Sequence, residues 1–184
     1  MDKGLADKTT TSFLCNQRGT AAIEFAIVAP IFLALIFSVI EAGYFYFVDS
    51  ATTEATAKAS RLIRTGQAQN GVDPDAFFDE ICKVVSTFGD CNERLTVDVA
   101  RFDDFGELAA DLSSVACRDS ADPSIAGAQF SAADYGQQRD IVRVRVCFLH
   151  KSVNPALGLR LEKNADGFRE MVSVAVFRNE PFAN

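Results

Sequence analysis

Few side chains in this sequence are of kinds that carry out chemistry, and they do not form a catalytic set. The only histidine, His150, comes just past a predicted strand without a cysteine at metal-ligand spacing, which predicts a surface or loop position. The sequence holds no glycine-rich phosphate loop, no Gly-x-Ser-x-Gly motif and no carboxylates clustered beside a base. We therefore expect a protein that is not an enzyme and that needs no metal or other cofactor.

The five cysteines divide as one plus four around a long apolar run. Cys15 precedes the run, and the other four follow it: Cys82, Cys91, Cys117 and Cys147. An even number on one side of a membrane predicts two disulfides in an oxidising compartment, and the alternative is buried free thiols in a reducing one. Three connectivities are possible. Proximity along the chain favours Cys82 with Cys91 and Cys117 with Cys147.

The carboxylate of Glu24 stands at an unusual place in the chain. It lies two residues before the uncharged run, immediately ahead of Phe25, and Gly19 is five positions earlier. A charged side chain costs about 2 to 3 kcal/mol at the centre of a bilayer and much less at its edge, where it reaches water. By itself, therefore, Glu24 is a tolerable interfacial residue.

The apolar run decides where the rest of the chain lies. It has no charge from Ala26 to Ile40, and it extends to Val48 if Glu41 lies at the interface, so it is long enough to span a bilayer. Bases precede the run and Asp49 follows it, which predicts a cytoplasmic N-terminus and an exported C-terminal domain. The aromatic residues 44–47 suit an interfacial belt better than a signal peptidase site.

Helical periodicity continues beyond the apolar run as far as Arg64. Residues 49–64 contain no glycine or proline, and a stripe of mostly small residues shares one face: Ala51, Ala55, Ala59 and Leu62. A helix from Thr20 to Arg64 would be a rod of about 68 Å, bent near Pro30. Its small-residue stripe would let neighbouring helices approach closely. The alternative is a surface helix packed on its own domain.

The remaining residues, 67–184, predict a small α+β domain. Asp73-Pro74 begins a helix whose apolar stripe is Phe77, Ile81, Val84, Val85 and Phe88. Alternating segments at 95–102, 141–149 and 171–178 predict a three-stranded antiparallel sheet covered by that helix. We expect one buried face and one wet face, since valines alternate with Arg143 and Arg145 in the middle strand.

The long connection 103–139 has two interpretations. It contains one possible short helix at 105–115 and is otherwise rich in Gly, Ser, Asp and Ala. A connection of this length often carries a binding surface, and it is equally compatible with a solvated loop held by Cys117. The net charge of −7 comes mainly from beyond the apolar run, which makes nucleic acid a poor candidate partner.

The N-terminal segment RGTAAIEFAIVAPIFLALIF resembles a known family. Gly19, four residues, Glu24 and Phe25, joined to a basic leader and an apolar helix, resemble the class III signal of type IV prepilins and pseudopilins. More narrowly, residues 18–64 resemble TadE/TadG-like minor pseudopilins of the tight-adherence (Tad/Flp) pilus. The closing residues 177–182 are also similar to members of that group. A minor pseudopilin of type II secretion is the neighbouring alternative.

This resemblance implies how the chain is processed and where it acts. A prepilin peptidase would cut between Gly19 and Thr20, and Glu24 would pair with the N-terminal amine of a neighbouring subunit. The expected parts are a cytoplasmic leader (1–19), a transmembrane helix with its amphipathic extension (20–66) and a periplasmic or extracellular domain (67–184). The implied partners are the inner membrane, other pilins or pseudopilins and the assembly machinery, with a role in adhesion. A membrane-anchored binding module that uses 103–139 for recognition is the other hypothesis.

Overall fold

The computed structural model describes residues 19–115, 117–118, 125–153, 161 and 167–182. The predicted leader up to residue 18 lies outside them. Within the described residues the elements follow in this order: α1 (Thr20–Arg64), α2 (Pro74–Val85), α3 (Cys91–Arg94), β1 (Leu95–Phe102), α4 (Phe105–Ala110), β2 (Ile141–Lys151) and β3 (Phe168–Arg178). Short 3-10 helices lie at Ala68–Asn70, Ser86–Phe88 and Ala132–Tyr135.

The chain divides into two compact units, and α1 contributes to both. The described part of the first unit is residues 19–40, and the second comprises residues 41–153 and 161–182. Helix α1 is 45 residues long, with the bounds predicted from the sequence, and it includes Pro30. The second unit holds the sheet, the other helices and the core, and we call it the domain.

The second half of α1 packs on its own domain. Its stripe of small side chains is buried, since Ala55 and Ala59 are each 1% exposed, and Val48 and Ile63 join the same core. The hydroxyl groups of Thr52 and Thr56 are buried too, and each donates to the carbonyl four residues earlier. The expectation that this stripe would pack against neighbouring helices is therefore wrong. The apolar face of the sheet offers the nearest surface on which it can be buried.

Helix α2 covers the core as the sequence predicted. Asp73 caps it by accepting a hydrogen bond from Ala76 N at 2.6 Å, and Pro74 occupies its first turn. Phe77, Ile81 and Val85 of its stripe are fully buried. A disulfide joins Cys82 at the end of α2 to Cys91 at the start of α3, which confirms this pairing. The closed loop fixes α2 against the beginning of β1.

The sheet is antiparallel with the order β1-β2-β3, as predicted, and β2 lies in the centre. Its core face carries the valines of β2, which pack against α1 and α2 in one cluster. The second disulfide joins Cys117 to Cys147 in β2, with Cα atoms 5.5 Å apart. It holds the segment after α4 against the opposite face of the sheet.

The prediction of a wet opposite face is wrong for β2, although Val172, Val174 and Val176 of β3 are exposed on that face. Arg143 and Arg145 are only 6% and 9% exposed, because Asp111 and Ser113 lie over them. The guanidinium of Arg145 pairs with Asp98 on β1 at 2.7 Å and also donates to the backbone carbonyl of Ser113. Arg143 pairs with Asp111 at 2.6 Å. The backbone N–H and the hydroxyl of Ser113, followed by Arg143, lower the pKa of Asp111 to about 2.

The closing residues of the chain are fastened to the end of α1. Helix α1 ends in a Schellman motif, in which Gln67 N donates to Leu62 O at 2.9 Å and Gly66 adopts a φ of +80°. Glu180 N then donates to the carbonyl of Arg64 at 2.9 Å. The ring of Phe182 lies against Gly66, where a Cβ atom would be 2.4 Å from its Cγ.

We expect Gly66→Ala to destabilise the domain by about 2 kcal/mol, because it forces an L side chain into a left-handed conformation and into the Phe182 ring. Gly71→Ala is a matched control, since Gly71 has a φ of +111° and nothing within 4 Å of its Cβ position. Urea unfolding of the full chain in detergent measures the free energy of unfolding of both variants. Equal losses at the two glycines would contradict a steric role for Phe182.

Candidate functional site

The predicted recognition residues lie together at the start of α1. Gly19 is exposed and directly precedes Thr20, the first residue of the helix. Nothing described lies within 4 Å of the position where a Cβ on Gly19 would be. Glu24 is exposed in the next turn, and Phe25 beside it is 72% exposed. The bond between Gly19 and Thr20 is therefore open to a protease in the part of the chain that the structure describes.

Glu24 has no ion-pair partner among the residues that the structure describes. Apolar side chains follow it along the helix. Thr20 lies one turn before it on the same face. A cut after Gly19 would create an ammonium at Thr20, and a carboxylate in an apolar setting binds such a group strongly because each charge offsets the cost of desolvating the other.

The helix that follows has the length and the surface of a membrane span. It is the one helix in the described part of the chain that is long and apolar enough to cross a bilayer. Residues 20–40 rise about 31 Å, close to the hydrocarbon thickness. Their large apolar side chains are exposed: Ile23, Phe25, Ile27, Val28, Ile31, Phe32, Leu33, Leu35, Val39 and Ile40. Glu41, the next residue, is buried and belongs to the compact domain.

Comparison with known families connects these observations. The family model described as TadE-like protein matches residues 19–61. Over these residues the chain is similar to TadE-like proteins. The match begins at Gly19, includes Glu24 and Phe25, and ends three residues before α1 does. It agrees with the resemblance seen in the sequence. No curated protein and no solved structure is significantly similar to the chain.

The TadE-like segment enters the domain at Glu41. This side chain is 1% exposed, and its Oε2 accepts a hydrogen bond from the backbone N–H of Val153, just past β2, at 3.1 Å. The sequence suggested Glu41 only as an interfacial residue within a longer apolar run. The structure instead places it in the domain, where it connects α1 to the end of β2. Neither hydropathy nor spacing indicates the contact, because Val153 is far away in the chain.

The sequence predicted a surface or loop position for His150, and this prediction is wrong. His150 lies in β2, is 2% exposed, and packs against Tyr44 and Phe45 of α1, with ring centroids 5.3 and 6.5 Å away. Neither ring nitrogen has a hydrogen-bond partner among the described residues. Burial lowers the pKa of His150, Glu41 works in the opposite direction, and Arg94 lowers the pKa further. The imidazole is therefore neutral at pH 7.

The buried imidazole predicts a loss of stability in weak acid. Below the unfolded pKa of about 6.5, the unfolded chain takes up a proton that the folded chain does not, so the free energy of unfolding falls. It falls until the lower folded pKa is reached. We expect His150→Phe to weaken this dependence, and no other histidine in the chain titrates in this range. Urea unfolding at pH 7.5, 6.5 and 5.5 compares the unmodified chain with the variant. If the free energy of unfolding changes equally with pH in both, His150 is not the group responsible.

The four aromatic residues that follow Gly43 differ in their exposure. Tyr44 and Phe45 are half-buried in the domain, whereas Tyr46 and Phe47 are 70% and 63% exposed. Arg169 lies over the ring of Phe45, with 5.1 Å between the guanidinium carbon and the ring centroid. Exposed aromatic rings such as Tyr46 and Phe47 suit the headgroup region of a bilayer.

Proposed function

We propose that the chain is a TadE-like pseudopilin, a non-enzymatic structural component of a Tad (Flp) pilus that serves pilus assembly and adhesion. The observation that carries this proposal is the arrangement of Gly19, Glu24 and Phe25 at the head of an exposed apolar helix, within the segment that the TadE-like family model matches. A binding module that needed only an anchor would have no use for the glycine or the glutamate at these positions.

The proposed topology places residue 19 at the cytoplasmic face of the inner membrane and the domain in the periplasm or outside the cell. The basic residues before the span support this orientation, because positive charge is retained in the cytoplasm. The two disulfides of the domain support it independently, since disulfides persist in oxidising compartments. In this topology the bond after Gly19 faces the side where prepilin peptidases act.

Processing would convert an anchored precursor into an assembly subunit. Once the leader is removed, Thr20 bears an ammonium and Glu24 is the fifth residue of the mature chain. The Glu24 carboxylate of one subunit then binds the ammonium of its neighbour, which fixes the axial register between two apolar helices. Register needs such a polar pair because apolar side chains packed in lipid slide past one another at little cost.

The buried second half of α1 limits how subunits contact one another. Since Ala55 and Ala59 are covered by the chain's own domain, that face of the helix is closed to neighbours. The exposed apolar helix surface left for assembly is mainly that of residues 20–40. This distribution suits a minor component, in which one domain is carried on a short assembly helix.

The role of Glu24 distinguishes a pilin from a simple anchor. We expect Glu24→Gln to leave the protein in the membrane and to remove it from sheared pili, because the neutral amide cannot bind an ammonium as an ion pair. Immunoblots of the membrane and pilus fractions measure both. Glu54→Gln is the matched control, since Glu54 lies on the same helix in an exposed pair with Lys58.

Two results would overturn the proposal. The first is that Glu24→Gln enters sheared pili as well as the unmodified protein does, which would favour the anchored binding module. The second is that the unmodified protein is missing from pilus fractions and its deletion leaves the number of pili unchanged. N-terminal sequencing of the protein from both fractions also shows whether processing and location change together.

A further inference from the structure

The two edges of the sheet differ in whether another segment hydrogen-bonds to their backbone. The outer edge of β1 is occupied, because Val97 exchanges hydrogen bonds with the segment 127–129: Val97 N donates to Gly127 O at 2.7 Å, and Gln129 N donates to Val97 O at 2.8 Å. Strand β3 forms the other edge and pairs with β2 without interruption from Phe168 to Arg178. No described residue outside the sheet hydrogen-bonds to the backbone of 169–178.

The side chains of β3 do not protect that edge. Val172, Val174 and Val176 are 48%, 53% and 44% exposed on one face. The strand contains no proline, glycine or lysine, its register with β2 shows no bulge, and the exposed charges on the same face, Glu170 and Arg178, lie on either side of the three valines. Proteins that keep an edge strand from pairing use such devices, and an apolar stretch of edge without them accepts another strand.

The space beside β3 can hold a partner strand. A cavity of about 420 Å³ opens between α1 and residues 174–177, and its helix wall consists of Ala57, Ser60, Arg61 and Arg64. Strands pair at a separation of about 4.8 Å, so the incoming strand needs room only along the edge and not beneath the sheet.

The sequence of β3 is complementary to itself in one antiparallel register. If two copies pair about Val174, then Val172 faces Val176, and Glu170 faces Arg178 at both ends of the pair. Both charged side chains are exposed and lie on the same face as the valines. Centring the pair on Val172 or Val176 instead would place Glu170 or Arg178 opposite a valine. Cross-strand ion pairs and β-branched pairs both stabilise a ladder, so the register about Val174 is the favoured one.

We propose that β3 pairs antiparallel with β3 of a second copy, about a two-fold axis at Val174, to give a six-stranded sheet. The interface is isologous, so each copy supplies the same strand and the assembly closes as a dimer.

Within the domain, α1 has a fixed direction relative to β3. Glu41 of α1 is bonded beside the start of β3, through Val153, and Arg64 is bonded to Glu180 just past the end of β3. Residues 41–64 of α1 therefore run along β3 in the same direction. Antiparallel pairing of the two strands makes these helix segments run in opposite directions.

A single cysteine at the axis tests the pairing. The full chain with Cys15→Ser and Val174→Cys is prepared with two different tags, and the two preparations are mixed in detergent under mild oxidation. We expect a disulfide-linked dimer containing both tags, because position 174 faces itself. Val172→Cys is the control, since its own copy lies about 13 Å away along the ladder. Mixing Val172→Cys with Val176→Cys should restore the cross-link.

Charge reversal tests the register. We expect Glu170→Arg to lower the Val174→Cys cross-link by about tenfold, because like charges then face each other at both ends. Adding Arg178→Glu should restore it. Equal cross-linking at 172 and 174, no two-tag dimer, or a double reversal that fails to recover would each overturn the proposal. None of these results depends on pilus incorporation, so they are separate from the test of Glu24.

Discussion

Gly19→Ala is expected to keep the protein at its full length in cells that contain the matching prepilin peptidase, while the unmodified chain shifts to a smaller form. The bond after Gly19 is exposed, and nothing described packs where a side chain on Gly19 would be, so the substitution does not disturb the fold. A protease that binds the residue before the cut closely against its own backbone has no room for a methyl group. We therefore expect loss of nearly all processing.

Immunoblots with and without the peptidase measure the shift, and N-terminal sequencing should give Thr20 as the first residue. Gly43→Ala is the matched control, because Gly43 is also exposed and has nothing within 4 Å of its Cβ position. It should mature normally. If the unmodified chain keeps its mobility with an active peptidase present, the processing step is wrong, and the role proposed for Glu24 falls with it.

Asp98→Ala is expected to destabilise the domain by about 3 to 5 kcal/mol, the range for removing one partner of a buried ion pair. The side chains of Asp98 and Arg145 are 15% and 11% exposed, and their closest atoms are 2.7 Å apart. Without the carboxylate, the guanidinium keeps its bond to Ser113 O but remains a buried charge without a counter-ion. Denaturant unfolding of the full chain in detergent measures the loss.

Asp103→Ala is the control for this substitution. Asp103 pairs with Arg101 at 3.1 Å, but its side chain is 75% exposed, so its removal should cost less than about 1 kcal/mol. Replacing both Asp98 and Arg145 with apolar residues should recover much of the loss, because no charge is then left buried. Similar losses of unfolding free energy for Asp98→Ala and Asp103→Ala would contradict the prediction, because they would show that water reaches the Asp98–Arg145 pair.

The sequence predicted the elements whose signals are local. Helix α1 has its expected bounds, the Asp73 cap and the apolar stripe of α2 are present, and the three strands form the expected antiparallel sheet. The pairing of Cys82 with Cys91 was also predictable, because a separation of nine residues leaves little freedom. The residues proposed for recognition were found by their spacing from the apolar run.

The errors all come from contacts between segments far apart in the chain. Alternation in β2 correctly separates its two faces, but it does not show that Asp111 and Ser113 return to cover Arg143 and Arg145. In the same way, the position of His150 depends on α1, more than a hundred residues earlier in the chain. The stripe of Ala55 and Ala59 has the same pattern whether its partner is another subunit or its own sheet. Periodicity identifies a buried face and does not identify its partner.

The attachment of the closing residues to α1 also determines when the domain can fold. The core is built from the first helix of the chain and from strands β2 and β3 near its end, and the Glu180–Arg64 bond and the Phe182 ring complete the contact. Contacts between such distant segments form late, because most of the chain must be available first. In the proposed topology, the apolar stripe of α1 emerges from the membrane long before β3 does. If the domain is exported in this way, a factor, or a speed of translocation, has to protect that stripe until β3 and the residues after it arrive.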